Sequence, residues 1–188
     1  MTAVPVHTIS WQCLDRLGGD SCRIMHGAAG WHLQGHAELV DTEQGVIALD
    51  YQAHCDLYWN SIAGRIQGKI GKRAVLIEVE KRSSAWYVNG VCVPALDGLL
   101  DLDFGFTPAT NLLAIRRLQL QQGDSHFFHC AWLDTTAEDW QFRVLEQQIT
   151  CLASDRLHYC SPAHNYEADL LLDDFGCVRH YPGLWRQK

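Results

Sequence analysis

Positive charge is scarce in this sequence. Its 188 residues carry 15 Lys and Arg against 22 Asp and Glu, a formal net charge of −7. That balance argues against nucleic acid or an anionic bilayer surface as the main partner. Long apolar runs are also missing. No stretch approaches the ~18–20 residues of a membrane-spanning helix, so no stable membrane insertion is expected. Met1 to Trp11 contain neither a basic n-region nor a long apolar h-region, which predicts a cytoplasmic protein. Proline is rare, at 5 residues, and no Pro/Ser-rich linker, low-complexity tract or internal repeat divides the chain. Residues 1–188 therefore read as one domain, and a composition 47% hydrophobic and 20% charged is that of a folded one.

The usual marks of catalysis and metal binding are absent too. There is no G-x-S-x-G elbow, no Gly-rich phosphate loop and no H-E-x-x-H. None of the 8 cysteines is separated from the next by only two residues, so zinc-knuckle spacing is missing. Free thiols are expected, several of them acting as small buried hydrophobes. Among the 10 histidines, His32 and His36 would share a strand face but lie about 13 Å apart, too far for one metal. His126 and His129 would face opposite ways on a strand. The reading is therefore no metal and no cofactor.

What is present is turn chemistry at short intervals. Gly18-Gly19-Asp20, Asn89-Gly90, Asp97-Gly98, Gln122-Gly123-Asp124 and Asp174-Phe175-Gly176 punctuate the chain. Between them lie runs rich in β-branched and aromatic residues, such as Val46–Tyr51, Ala74–Glu80 and Phe127–Trp132. Trp86–Val88 and Val91–Val93 flank Asn89-Gly90, which predicts a hairpin with a type I′ turn. Leu113–Gln121 with Ser125–Leu133, and Glu167–Leu172 with Cys177–Tyr181, read as two more hairpins. Tyr181-Pro182-Gly183-Leu184 suits a type II turn. The fold expected is all-β with little helix, of about a dozen short strands. Short helical turns are conceivable only at Asp134–Asp139 and Ser10–Leu17. A sheet this large must close, curl or stack to hide its edges.

Polar residues stand out between Leu99 and Leu120. Strand alternation puts Asp101 and Asp103 on one face, opposite Leu100, Leu102 and Phe104. Read as a strand, Leu112 to Leu120 places Arg116 among Leu112, Ala114, Leu118 and Leu120, with Arg117 on the more polar face. A charge on an apolar face needs a partner. Asp101 or Asp103 can supply a structural ion pair, or the guanidinium can receive a ligand. Thr107-Pro108-Ala109-Thr110-Asn111 reads as a defined loop between them. Seven tryptophans serve the core, its rim or the wall of a cleft.

These segments resemble the bacterial family called putative glycolipid-binding proteins. The resemblance is carried by Gly98 with Asp101-Leu102-Asp103, then Thr107-Pro108 with Thr110-Asn111, then Ile115-Arg116-Arg117-Leu118. Gln147 with Thr150, Gly176-Cys177-Val178, the Tyr181–Leu184 turn and, upstream, Cys55-Asp56 with Trp59 complete it. It runs from about Gly45 to Trp185, with residues 1–44 loosely matched. The resemblance implies a spiral β-roll or curled half-barrel, similar in shape to carriers and receptors of lipoproteins, and it brings no catalytic residues. Three departures occur. Asn60-Ser61-Ile62 follows Trp59 where the family usually has an arginine, Ala114 replaces a proline, and Ile149 replaces an aromatic.

The function expected is binding of an amphipathic ligand, a lipid or glycolipid, in a groove of the curled sheet. The candidate ligand-binding residues are Asp101, Asp103, Thr107, Asn111, Arg116, Arg117, Gln147, Trp59 and Tyr181. The rival readings are an enzyme using Asp101, Asp103 and Arg116, and a protein-interaction module using an exposed sheet edge.

Overall fold

The computed structural model describes residues 4–136 and 140–188. Eight strands open the chain: β1 (Val4–Cys13), β2 (Leu17–Gly27), β3 (Gly30–Asp41), β4 (Gly45–Cys55), β5 (Ser61–Ile70), β6 (Arg73–Arg82), β7 (Ala85–Val88) and β8 (Val91–Cys92). Next come β9 (Leu102–Phe104) and one α-helix, α1 (Asn111–Leu118). The chain then runs through β10 (Ser125–Asp134), β11 (Gln141–Ala153), β12 (Arg156–Ser161), β13 (Tyr166–Leu172), β14 (Val178–Tyr181) and β15 (Trp185–Gln187). All the described strands belong to one curled sheet, in the order β8-β7-β6-β5-β4-β3-β2-β1-β15-β14-β13-β12-β11-β10-β9. The sheet is thus two antiparallel meanders, β1–β8 and β10–β15, joined where β1 pairs with β15 (Cys13 opposite Trp185), with β9 added at the edge beside β10.

Alternation builds it. In β4, Ile47, Leu49, Tyr51, Ala53 and Cys55 all turn inward and are buried. The inward faces of both meanders merge into one core that includes Trp11, Tyr51, Trp86 and Phe104. Trp11 donates its indole N–H to the Val178 carbonyl at 2.6 Å, which satisfies a buried polar atom across the β1–β14 region. The segment just before β9 ties the two arms together. Ser61 and Ala131 donate backbone N–H groups to the Leu100 and Asp101 carbonyls, each at 2.8 Å.

The expected all-β architecture and curled sheet are present, with fifteen strands among the described residues where about a dozen were read. Asn89 and Gly90 both take positive φ, 48° and 79°, between β7 and β8, as the type I′ turn demands. β13 and β14 form the expected hairpin. Leu184 N–H bonds the Tyr181 carbonyl at 3.0 Å with Gly183 at φ 74°, the geometry of a type II turn. Ser10 to Cys13 continues β1 as strand. At Asp134–Asp139, Asp134 ends β10, while residues 137–139 lie outside those described.

One segment is corrected. Leu112–Leu120 does not form a strand, and Leu113–Leu133 is not a hairpin. Asn111–Leu118 is α1, with Leu112, Leu113 and Ala114 buried in succession. β9 and β10 run parallel. Parallel neighbours need a crossover, and a two-residue hairpin cannot supply one. α1 is that crossover.

Candidate functional site

The loop that leads into α1 is held by buried polar contacts. The Thr107 hydroxyl donates to Asp20 and accepts the Ala109 N–H at 3.0 Å. Tyr51 OH donates to the same Asp20 oxygen at 2.8 Å. Tyr51 reaches it because Gly35, opposite on β3, leaves room for the ring. A Cβ there would sit 2.1 Å from Cζ of Tyr51. Burial pushes the Asp20 carboxyl up to about 6, against the opposing effect of its two hydroxyl donors. Thr110 accepts the Phe104 N–H at 3.0 Å and donates to Asp103 at 3.1 Å.

The two aspartates expected to surround a ligand are fully engaged by the protein. Arg117 grips Asp101 with Nε at 2.8 Å and Nη2 at 2.6 Å, and Asp101 is 2% exposed. Gln147 donates to the second Asp103 oxygen at 2.9 Å. Burial raises the Asp103 carboxyl above the usual range, against the pull of Gln147 and Thr110. Asp101, Asp103, Asn111 and Gln147 do converge, around a space of about 10 Å³. That is roughly the room one water needs. Tyr181 packs apart from this cluster, its ring 5.7 Å from Tyr159 and 5.6 Å from Tyr166.

An open cavity adjoins that small space, sharing Ile115 and Ile149 with it. A cleft of about 600 Å³ separates the C-terminal end of the helix from β11, β12 and the β13–β14 turn. Ile115, Leu118, Ile149, Leu157 and Leu172 give it an apolar wall, and Arg116, Asp155, Asp173 and Asp174 give it polar corners. Of the residues singled out from the sequence, Arg116 and Trp59 belong here. The Arg116 guanidinium lies 5.5 Å from the Trp59 ring centre and 5.2 Å from that of Phe175. Among the described residues it has neither a hydrogen bond nor an ion pair.

Trp59 is set by strain. Its φ is 68°, a conformation that a bulky residue rarely takes. Asp56 holds the loop, accepting the Tyr58 and Asn60 N–H groups at 2.8 and 2.9 Å and the Asn60 side-chain amide at 2.8 Å. Trp31 stacks on Trp59 at 4.3 Å. Strain of this type costs on the order of 1–3 kcal/mol and persists where the surroundings enforce it.

Sequence reasoning missed Asp155, Leu157, Asp173, Asp174 and Phe175. The last three appeared there only as a turn between strands, and their spacing carries no signal of a cleft. Metal-capable groups also converge where sequence spacing cannot show it: His7, Asp173 and Cys177 meet from opposite ends of the chain. The histidine pairs considered from sequence go elsewhere. His32 meets His54 across the sheet, His36 lies 2.8 Å from Asp50, and His129 lies 3.6 Å from Glu146. All eight cysteines are free, and six of them are buried. No helix among the described residues is long and apolar enough to cross a membrane.

The fold recurs in solved structures. A DUF1089 family protein of Pseudomonas aeruginosa superposes with a TM-score of 0.74 at 22% identity, over 99% of this chain and 95% of that one. A beta-barrel-like protein of domain family DUF1849 from Brucella abortus does so with a TM-score of 0.50 at 13% identity, over 100% and 96%. At these identities the likeness is one of fold. No curated protein matches the sequence. The family match is more extensive than the resemblance from Gly45 onward, because it takes in most of β1 and all of β2 and β3. The model of the family described as "Putative glycolipid-binding" matches residues 8–187, and the chain belongs to that family.

Proposed function

We propose that the protein binds an amphipathic molecule, a lipid or glycolipid, in the cleft beside α1. The observation that carries this is Arg116. It is a guanidinium braced between two aromatic rings, with neither a hydrogen bond nor an ion pair among the described residues, and it lines a cleft that also has an apolar wall. The cleft of about 600 Å³ sets apolar side chains beside seven polar or charged ones, a lining that suits a ligand with both an apolar and a polar part. The acyl portion lies against Ile149, Leu157 and Leu172. The head lies between Arg116 and the carboxylates of Asp155 and Asp174. Donors on one side and acceptors on the other suit a hydroxyl-rich head, as a sugar offers. The carboxylates disfavour an anionic one.

The remaining candidate residues act from behind. Asp101, Asp103, Thr107, Asn111, Arg117 and Gln147 fix the loop and the helix that carry Arg116. Tyr181, at the end of β14, packs against Tyr159 and Tyr166.

Native mass spectrometry of gently purified protein, followed by solvent extraction, tests the proposal. A reproducible adduct of one lipid or glycolipid class is expected, lost in Arg116→Ala and in Leu157→Trp, which fills the cleft. Octyl glucoside, titrated against tryptophan fluorescence, serves as the defined probe. The proposal fails if the wild-type protein shows neither an adduct nor saturable octyl glucoside binding. It also fails if both variants bind as the wild type does.

A further inference from the structure

We propose that His7, Asp173 and Cys177 form a binding site for a zinc ion. His7 comes from β1, while Asp173 and Cys177 stand at the two ends of the β13–β14 turn. One ligand atom from each lies within 4.8 Å of the other two. His7 Nε2 is already 2.8 Å from Asp173 Oδ2. With Zn–N and Zn–O bonds of about 2.0–2.2 Å and Zn–S of about 2.3 Å, tetrahedral ligand atoms stand roughly 3.3–3.8 Å apart. Small side-chain rotations take these three groups to that spacing.

The groups are held in place by contacts of their own. Asp173 Oδ1 accepts the Phe175 and Cys177 N–H groups at 3.0 and 2.8 Å, which leaves Oδ2 turned to the imidazole. The turn is closed again by Asp173 N–H to the Cys177 carbonyl and Gly176 N–H to the Asp173 carbonyl, both 2.9 Å. Phe175 stacks on the His7 ring at 4.9 Å and 7°, setting its plane. The strand register shifts between Pro5 and His7, and again between Leu171 and Leu172. Such bulges re-aim side chains and recur beside functional sites.

The donor chemistry selects the ion. A thiolate, an imidazole and a carboxylate suit zinc, whereas magnesium and calcium take oxygen ligands. Thiolate and carboxylate together neutralise the ion's charge, so the loaded site is itself neutral. A nucleophilic role for the same three groups fits less well, because Cys177 is 3% exposed and covered from a substrate. Three protein ligands leave a fourth position for water.

Cobalt(II), a spectroscopic stand-in for zinc, tests this on the full chain after chelation and under reducing conditions. One equivalent is expected to produce a thiolate-to-cobalt charge-transfer band that zinc then abolishes. Cys177→Ser is expected to lose the band, and Cys92→Ser, at an exposed thiol, to keep it. His7→Gln is expected to weaken cobalt binding at least tenfold with an unchanged circular dichroism spectrum. Absence of the band in the wild-type protein, its survival in Cys177→Ser, or an affinity within twofold of wild type in His7→Gln overturns the proposal. If Cys177→Ser does not fold, His7→Gln decides it.

Discussion

Arg116 and Arg117 are neighbours in sequence with opposite energetic roles. Arg117 closes a two-pronged pair on a carboxylate that is 2% exposed. Removing it strands a buried charge, so Arg117→Ala is expected to cost about 3–5 kcal/mol in urea unfolding. Arg116 holds no carboxylate, and its aromatic contacts contribute only about 0.5–2 kcal/mol. Arg116→Ala is therefore expected to melt close to wild type. Equal losses at the two positions would contradict this division. Asp20 offers a second test at this scale. Its carboxyl is raised to about 6 from an ordinary 3.8. Between those values the folded state holds the proton more firmly than the unfolded chain, so folding takes up a proton. This contribution is complete below pH ~4 and is lost as pH rises through ~6. Asp20→Asn removes the titration. Relative to the variant, the wild-type protein is expected to lose stability, on the order of 3 kcal/mol, between pH 4 and pH 7. A wild-type-minus-variant difference that is flat with pH, from urea unfolding at several pH values, would sink this account. The sequence pointed to Asp101 or Asp103 as a partner for Arg116, whereas the structure pairs Asp101 with Arg117. That error came from the face assignment, since strand faces alternate and helix faces do not.

The helix was the element least legible in the sequence, for a physical reason. Eight residues make little more than two turns, too few for a 3.6-residue period to separate from a two-residue one. Leu112, Ile115 and Leu118 fit the helix, and Leu112, Ala114 and Leu118 fit a strand equally well. What decides is tertiary: β9 and β10 are parallel, and a parallel pair requires a crossover. The cleft went unread for the same reason, because it exists only where this helix leans on β11 and β12. Strands fared better. β4 and β6 alternate over ten or more residues, and Asn89-Gly90 fixes its turn by local conformational preference alone. The helix end yields a prediction. Gln119 sits at φ 48° and ψ 42°, the left-handed conformation that costs a side chain least when it is glycine. Gln119→Gly is expected to stabilise the protein by a few tenths to about 1 kcal/mol, read as a rise in Tm. A fall in Tm would mean that the Gln119 side chain contributes packing at the cleft mouth that outweighs the strain.

At the scale of the whole molecule, the order of assembly follows from the order of the strands. Each meander is made of neighbours in sequence, with short connections and small closure entropy. The seam between them is the opposite case: Trp11, Gln12 and Cys13 of β1 pair with Gln187, Arg186 and Trp185 of β15 across almost the whole chain. No local pattern in the sequence announces that pairing, which is why the family resemblance supplied the curled shape when turn and strand signals supplied only its pieces. Contacts of such separation reward the chain only after its local parts have formed. The seam is therefore expected to seal late. Trp185, buried at the seam, is the probe. Trp185→Ala is expected to destabilise the protein by about 3–5 kcal/mol, as large aromatic truncations in a core do. In stopped-flow experiments followed by the remaining six tryptophans, nearly all of that loss is expected in faster unfolding, with refolding little changed. Refolding slowed by the full amount would instead place the β1–β15 seam in the nucleus, and the two meanders would then depend on each other from the start.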